Sequence, residues 1–324
     1  MFQWFCLALW VQTDLFTPII SLYMKRKRIV TVSFLILMIV ALLIIKAEYA
    51  SLIYCGSTYG MPALVAKGSV ENLYLGSSMF RQGLDIDTIE NHQNDSYILA
   101  YNGNQPISEL IELNYLIDKN VEIEHLYVDM YAYSMTALPD ISDDKLLIET
   151  DIATKYRLWE SIEDKSFSKF WSVCVAANND MILTAPVVNP ILNSQFRNGG
   201  TFSVNKGLDN DDYNNLAPPI DTDIIIIEQE KAVRDIVTLC RENGIDVTFI
   251  ETPKSRVVMQ DQNYESVMES YKIILNELEV KYISSEDYEF DYDDSHNYID
   301  AIHLSYQGRV NFSEKLLTCD KFTH

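Results

Sequence analysis

The chain has 324 residues, of which 48% are hydrophobic, so it is long and apolar enough to form a packed domain. It carries 47 Asp and Glu against 25 Lys and Arg, for a formal net charge of -22. Binding to nucleic acid needs a basic face that meets phosphates. The charge therefore excludes nucleic acid from the expected partners.

A short basic run stands directly before an uncharged apolar stretch near the N-terminus. The run is MKRKR at residues 24–28, and the stretch covers residues 29–45. At ~1.5 Å per residue the stretch reaches about 25 Å, close to the lower limit for a membrane-spanning helix. Because positive charge favours the cytoplasmic side, we predict a transmembrane anchor at 29–45 after a cytoplasmic or membrane-hairpin segment at 1–28. The main domain would then lie outside the cytoplasm, at the cell membrane.

Two alternatives stay open at this end of the chain. A cleaved signal peptide needs small residues at its cleavage site, whereas Glu48 stands two positions before Ala50. An uncleaved anchor is therefore favoured. Residues 1–23 are apolar but interrupted, and they are either a second membrane segment or sequence upstream of a true start at Met24.

Beyond a predicted linker at residues 46–68, apolar runs alternate with helical patterns over residues 69–324. The predicted strands are residues 70–76, 96–103, 122–134, 245–253 and 281–285; the predicted helices are residues 78–91, 106–120, the end of 223–244, 264–280 and 304–317. Such alternation predicts a parallel sheet with helices on both faces. The expected fold is α/β, a three-layer sandwich around a mostly parallel, about five-stranded, flavodoxin-like sheet.

An insertion separates the third and fourth predicted strands, over residues 135–225. It is acidic, rich in Asn and Asp, and contains Trp159, Trp171 and an NGG turn at 198–200. We interpret it as a helical start followed by irregular loops. An insertion at the carboxyl edge of a parallel sheet is well placed to cover a site there, as a lid would.

Polar residues of catalytic type follow three of the predicted strands. Ser78 follows the first strand, Gly103 and Asn104 follow the second, and Asp300 and His303 follow the fifth. Ligands of open parallel sheets bind beyond the carboxyl ends of the strands, so these residues are expected to meet at one edge.

A serine, a histidine and an aspartate together form a well-known catalytic arrangement. A serine hydroxyl becomes a useful nucleophile when a base removes its proton during attack, and imidazole does this near neutral pH. A carboxylate orients the ring and stabilises the imidazolium. Backbone N–H groups near Ser78 and Gly103 could hold the oxyanion, each donor being worth ~2.7–4 kcal/mol.

Three blocks of this sequence resemble the SGNH hydrolase superfamily: G-S-S-x-x-x-x-G at 76–83, the Gly/Asn turn after the second strand, and D-x-x-H-L-S at 300–305. The resemblance implies Ser78 as nucleophile, Asp300 as orienting acid and His303 as base. Two departures stand out. Ser77 occupies the position of a family aspartate, and the family asparagine after the third strand has no counterpart in VDMYAYSM. The oxyanion site is therefore expected to use Asn102, Gly103 or Asn104.

The anchored arrangement is similar to a membrane-bound branch of that superfamily, which includes the teichoic-acid D-alanyl transfer protein and polysaccharide O-acetylation proteins. The resemblance implies an esterase or O-acyltransferase acting on acyl esters of an envelope polysaccharide or related polymer. A membrane-bound acyltransferase is the protein partner it implies. Whether water or a sugar hydroxyl takes the acyl group stays open, because both reactions share the same first half.

Several other kinds of site are excluded by spacing. The five cysteines form no C-x-x-C pair, and the acidic loops do not match a calcium-binding EF-hand loop. The chain also lacks G-x-S-x-G and, at its first strand, G-x-G-x-x-G. No metal and no cofactor is therefore expected.

Two non-catalytic readings remain beside the enzyme. The chain can be an inactive scaffold of the same fold in an envelope assembly complex, which the two departures favour and the retained Ser, Asp and His oppose. It can also be a carbohydrate-binding module, which would need exposed aromatic side chains on one face. The 20 tyrosines permit that without locating it.

Overall fold

The structure is a computed structural model, and it describes residues 26–42, 60–141, 144–176 and 206–323. The chain divides into two units, Met1–Leu52 and Ile53–His324. In the first unit, residues 26–42 form helix α1, in which every residue is exposed.

The predicted anchor at residues 29–45 overlaps α1, and residues 43–45 lie outside the described residues. Across the four described ranges, no helix combines the length and the apolar character that a bilayer crossing requires. The predictions for residues 1–25 and for the NGG turn at 198–200 also fall outside the described residues.

A parallel sheet of five strands forms the centre of the second unit, in the order β2-β1-β3-β4-β5. The α/β fold with a five-stranded parallel sheet is thus confirmed, and the strand order is that of the flavodoxin-like doubly wound folds. The strands are β1 (Ser69–Gly76), β2 (Ser96–Ala100), β3 (Glu122–Asp129), β4 (Asp246–Ile250) and β5 (Lys281–Ile283).

Helices connect the strands and build the insertion. In chain order they are α2 (Gly60–Lys67), α3 (Ser78–Gly83), α4 (Ile86–Glu90), α5 (Pro106–Asp118), α6 (Ala132–Thr136), α7 (Asp144–Glu149), α8 (Ile152–Ser161), α9 (Phe167–Trp171), α10 (Asn210–Asn214), α11 (Ile227–Asn243), α12 (Arg256–Met259), α13 (Gln262–Glu277), α14 (Tyr306–Thr318) and α15 (Asp320–Thr323). A π-helical turn at Ser172–Ala176 and a 3-10 turn at Ser295–Asn297 complete the described elements.

Both faces of the sheet are buried, as the near-continuous apolar strands require. Along β1, Leu73 and Leu75 join the larger core, together with α2, α5, α11 and α13. Tyr74 points to the opposite face and joins the smaller core with α3, α4 and α14. The period-2 alternation of side chains along a strand thus feeds two separate cores.

The end of the predicted linker is part of the domain. Residues 60–67 are helical, and Met61 and Leu64 are fully buried in the larger core. The Tyr97 hydroxyl donates to the Gly60 carbonyl at 2.7 Å, and the Met61 N–H donates to Glu149 at 2.9 Å. An eight-residue helix shows too few turns for periodicity to reveal it.

Several boundaries differ from the sequence-based prediction. The third strand ends at Asp129, five residues before the predicted end at 134, and α6 begins at Ala132. The helix predicted at 78–91 is two helices, because Asp85 caps the second by accepting from the Thr88 N–H at 3.1 Å. Ser305 caps the start of α14, and Gly244, in the left-handed conformation, caps the end of α11.

We expect Leu64→Ala to lower the free energy of unfolding by about 2–5 kcal/mol, because it removes a fully buried side chain from the core. Urea unfolding followed by circular dichroism measures this. Ile273→Ala removes a similar side chain that is 57% exposed, and it should cost about 0.5 kcal/mol or less. Equal effects of the two variants would contradict the assignment of α2 to the core.

Candidate active site

The ends of β1 and β3 lie side by side at the carboxyl edge of the sheet. The register pairs Leu75 with Val128, so Gly76 stands next to Asp129. A Cβ on Gly76 would lie 2.9 Å from the Asp129 side chain, which is closer than carbon atoms can pack. Glycine at this position therefore allows the carboxylate of β3 to reach the turn that follows β1.

Three of the predicted site residues meet at this edge. The Oγ of Ser78 lies 2.9 Å from Nε2 of His303, and Nδ1 of the same ring lies 2.7 Å from Oδ2 of Asp300. With the ring proton on Nδ1, facing the carboxylate, Nε2 can accept the proton of the serine hydroxyl. The three groups thus form a continuous hydrogen-bonded row.

The loop that carries the acid also holds it in place. Oδ1 of Asp300 accepts the backbone N–H of Ile302 at 2.9 Å and that of His303 at 2.8 Å. Partial burial raises the pKa of Asp300, but the His303 ring and these two N–H groups outweigh it, and the net effect lowers the pKa. The carboxylate is therefore ionised at neutral pH and fixed in orientation.

The loop is tied back to the domain just beyond the ring. The Ser305 N–H donates to the Asn297 carbonyl at 2.9 Å, and the Ser305 hydroxyl caps α14 by accepting from the Gly308 N–H at 3.1 Å. A Cβ on Gly308 would lie 2.0 Å from the Asn297 carbonyl oxygen, so this crossing needs glycine. His303 is thereby held between two fixed points, with its side chain 18% exposed.

Ser77, directly before the predicted nucleophile, is held by Asp129. Oδ2 of Asp129 accepts the Ser77 N–H at 2.7 Å and the Ser77 hydroxyl at 2.5 Å. Ser77 Oγ in turn accepts the Met79 N–H at 3.2 Å and caps α3. Both side chains are buried, so water does not compete for these bonds. The arrangement fixes the corner on which Ser78 stands.

A buried lysine lies beneath the same corner. Lys254 is fully buried, and its Nζ donates to the carbonyl and the hydroxyl of Thr252, both at 2.6 Å. The ammonium also lies 5.2 Å from the centre of the Tyr131 ring. Burial lowers the pKa of Lys254 to about 8, against the opposing attraction of Glu251 and Asp129. The charge of Lys254 thus partly balances the carboxylate that holds Ser77.

Two glutamates of α5 are also buried close to this corner. Burial raises the pKa of Glu109 well above its ordinary value, and the nearby carboxyls of Asp129 and Glu112 raise it further. Glu112 accepts the Asn104 amide at 3.0 Å through Oε1. Burial and the neighbouring carboxyls thus both favour the neutral form of Glu109.

A cavity of about 520 Å³ opens beside Ser78. Its size lies within the range of small-molecule binding sites. The lining residues come from the turns after β1 and β2, from the segment after β3, and from the start of the insertion: Ser77, Ser78, Gly103, Asn104, Gln105, Tyr131, Tyr133, Ser134, Ala137, Leu138, Pro139, Asp140, Glu163, Asp164 and Lys169. The helical start of the insertion thus forms one wall of the cavity.

The structure separates the three predicted oxyanion residues. Gly103 and Asn104 line both the cavity and a smaller crevice beside it, whereas Asn102 lines the crevice and not the cavity. The Asn104 amide is engaged by the Gly76 carbonyl at 3.3 Å and by Glu112, and its backbone N–H bonds the Tyr101 carbonyl at 3.2 Å. The backbone N–H groups of Ser78 and Gly103 are the remaining candidates. Gly103 has a φ of 64°, a conformation that glycine adopts readily.

Sequence reasoning missed Asp129, Lys254 and the two cavity tyrosines, Tyr131 and Tyr133. The sequence does contain a pattern that indicates Asp129. An acid at the end of a buried strand that pairs with β1 is expected to face the Gly-Ser turn after β1. The third strand was predicted too long, which hid its end. Within the described ranges, no cluster of three or more His, Cys, Asp or Glu side chains is arranged to hold a metal ion.

No protein-family model matches the chain, and no curated protein sequence matches it significantly. Among solved structures, a proposed acylhydrolase from Bacteroides fragilis is similar at 10% identity and a TM-score of 0.37, over 77% of this chain and 86% of that one. A GDSL-like lipase from Bacteroides thetaiotaomicron is similar at 9% identity and a TM-score of 0.37, over 83% and 94%. Similarities this weak do not bear on the activity of this chain.

We expect Asp129→Asn to lower the free energy of unfolding by about 1–3 kcal/mol, because a neutral amide oxygen accepts the two Ser77 bonds more weakly than a carboxylate does and Lys254 loses a nearby negative charge. Chemical denaturation measures the change. Asp211→Asn alters an exposed carboxylate in the same way and should shift stability by about 0.5 kcal/mol or less. An Asp129→Asn variant as stable as the wild type would contradict the role given to this carboxylate.

The lysine beneath the corner predicts a specific pH dependence of stability. Its pKa is about 8 in the folded chain and ~10.4 in an unfolded one, so between these values the unfolded chain binds more protons. Stability contributed by this group therefore rises as pH increases through that window. We expect the stability of wild type relative to Lys254→Met to increase by about 2 kcal/mol from pH 8 to pH 10. Parallel pH profiles of the two proteins would contradict this.

Proposed function

We propose that the chain is a serine-dependent ester hydrolase or O-acyltransferase. The observation that carries this is the row of Ser78, His303 and Asp300, with separations of 2.9 and 2.7 Å. A histidine oriented by an ionised carboxylate and directed at a half-buried serine is the arrangement that activates a hydroxyl for acyl transfer.

In the first half of the reaction, Ser78 Oγ attacks the ester carbonyl carbon while its proton passes to Nε2 of His303. Asp300 stabilises the imidazolium that forms. The oxyanion would be held by the backbone N–H groups of Ser78 and Gly103. The C–O bond of the ester then breaks, the leaving alcohol takes the proton from His303, and the acyl group stays on Ser78.

In the second half, a new hydroxyl attacks the acyl-serine. His303 removes the proton of that hydroxyl and returns a proton to Ser78 as the acyl bond to the enzyme breaks. Water as the acceptor gives hydrolysis, and a sugar hydroxyl gives O-acyl transfer. The start of the insertion forms an acidic wall of the cavity, with Asp140, Glu163 and Asp164 on its lining. Within the described chain, this wall is best placed to limit the access of water to the acyl-serine.

We place this chemistry at the outer side of a cell membrane, on acyl esters of an envelope polysaccharide or related polymer. The basic run at 24–28 and the apolar stretch at 29–45 support an anchor with the main domain outside. The resemblance of the anchored arrangement to a membrane-bound branch of the SGNH superfamily supports a polymer of the cell envelope as the substrate. A membrane-bound acyltransferase is the proposed partner.

A second candidate is a scaffold of the same fold without activity. Its support is the Asn104 amide, which bonds Gly76 and Glu112 rather than being free to bind an oxyanion. The acid-base row argues against it, because a scaffold gains nothing from an aligned Ser, His and Asp.

A fluorophosphonate probe on the full-length protein distinguishes the two candidates. We expect covalent labelling of the wild type, none of Ser78→Ala, and labelling slowed by about 10²–10⁴-fold in His303→Ala, because the hydroxyl loses its base. Labelling is measured by gel fluorescence, and the modified residue is identified by mass spectrometry.

The exposed serine Ser266 on α13 supplies the matched control. Ser266→Ala removes a hydroxyl from the surface and should leave labelling unchanged. Absence of labelling in folded wild-type protein, or labelling that persists in Ser78→Ala, would favour the scaffold over the enzyme.

A further inference from the structure

From the walls of the cavity beside Ser78 we infer the chemical class of its substrate: a short acyl ester on an uncharged carbohydrate, with negatively charged polymers excluded. This deepens the proposed function and rests on it. Three features of the described lining carry the inference, namely its polarity, its charge and one exposed aromatic ring.

The apolar part of the lining is too small for a long acyl chain. Its aliphatic side chains are confined to one stretch, Ala137, Leu138 and Pro139. The turns at the nucleophile end contribute Ser77, Asn104 and other polar groups instead. A fatty chain gains its binding energy by leaving water for apolar surface, and it would find little here. The acyl group is therefore short, and most of the cavity receives the alcohol part of the ester.

The charge on the wall is negative. Among the described lining residues, Asp140, Glu163 and Asp164 are acids and Lys169 is the only base. Lys169 pairs with Asp140 at 2.6 Å and also attracts the Asp164 carboxylate, so three acids face one base on the lining. Nζ of the nearby Lys165 donates to the carbonyls of Trp159 and Glu160, and Lys165 is not part of the lining.

The two carboxylates are held on the rim by their own loop. The Glu163 N–H donates to the Pro139 carbonyl at 3.2 Å, which ties the loop to the opposite segment of the wall. Asp164 accepts the Ser166 N–H at 2.8 Å, and the hydrogen bonds from Ser166 lower its pKa. The backbone of Glu163 and the carboxylate of Asp164 are thus fixed in place on the rim. Like charges repel across such a cleft, so a phosphodiester or uronate polymer is disfavoured.

Tyr133 provides the surface that favours a carbohydrate as the ligand. Its side chain is 47% exposed and lines the cavity, and its ring centre lies 6.0 Å from that of the buried Tyr131. Tyr131 packs over the Lys254 ammonium and supports Tyr133 from below. A tyrosine with one exposed face offers a flat apolar surface and a hydroxyl, which suits the C–H face and hydroxyls of a sugar ring. The carboxylate of Glu163, which also lines the cavity, adds acceptors for sugar hydroxyls.

The test compares two acetylated oligosaccharides of equal length on the full-length protein: acetylated xylo-oligosaccharide, which is neutral, and acetylated oligogalacturonate, which is anionic. We expect kcat/KM for acetate release to be at least about tenfold higher for the neutral ester at low ionic strength. The difference should narrow in 0.5 M salt, where the Debye length falls to about 4 Å.

Variants identify the source of the discrimination. The double variant Glu163→Gln/Asp164→Asn should reduce the preference to about threefold or less, because it removes two of the three carboxylates on the lining. Glu265→Gln/Glu269→Gln changes the net charge equally on the exposed face of α13 and should leave the preference unchanged. Tyr133→Ala should raise KM for the neutral glycan about tenfold, and Tyr133→Phe should restore most of the affinity.

A binding measurement separates failure of this inference from failure of the proposed function. Titration calorimetry of Ser78→Ala with unacetylated xylo-oligosaccharide should show binding, and the galacturonate should bind at least about tenfold more weakly at low salt. Protein that reacts with fluorophosphonate but treats both glycans alike, or prefers the anionic one, overturns the inference and leaves the proposed function standing. Binding of the neutral glycan without fluorophosphonate labelling overturns the function and retains the ligand class. Absence of both overturns both.

Discussion

The contact between Asp129 and Ser77 is the constraint on which the rest of the site depends. One carboxylate oxygen at the end of β3 accepts both the N–H and the hydroxyl of the residue after β1, in a buried position. It thereby joins two strand ends and fixes the direction in which the next residue, Ser78, leaves the sheet. The histidine loop approaches from the far end of the chain and can align only with a serine whose position is already set.

The pKa values of the buried polar groups around this contact are shifted in directions that limit the net charge at the corner. Lys254 supplies a partly compensating positive charge with a lowered pKa, and Glu109 is driven towards its neutral form. The exposed rim of the cavity instead carries the acids Glu163 and Asp164, where solvent and ligand reach them. Negative charge is thus partly compensated beneath the nucleophile and left uncompensated where a substrate would enter. The resemblance to envelope proteins that handle phosphodiester polymers did not indicate this rim.

The sequence allowed the fold and the row of Ser78, Asp300 and His303 to be predicted, because both follow from local rules. Apolar runs alternating with helical patterns define a parallel sheet, and residues after its strands must share one edge. Features that depend on contacts between distant segments were not predictable in this way. The short helix α2 shows no periodicity by itself, and the engagement of Asn104 with Glu112 depends on how α5 packs. The cavity wall depends on where the Glu163 loop meets Pro139, far from the catalytic blocks in sequence.

Glu149 links the first helix of the domain to the turn beside the cavity. Its Oε2 accepts both the Met61 N–H and the Tyr101 hydroxyl, and the Tyr101 carbonyl in turn accepts the backbone N–H of Asn104. A version of the protein shortened past residue 60 would break this chain of bonds and leave a buried acid without one of its donors. The practical boundary for a stable catalytic fragment therefore lies before Gly60, well upstream of the first strand.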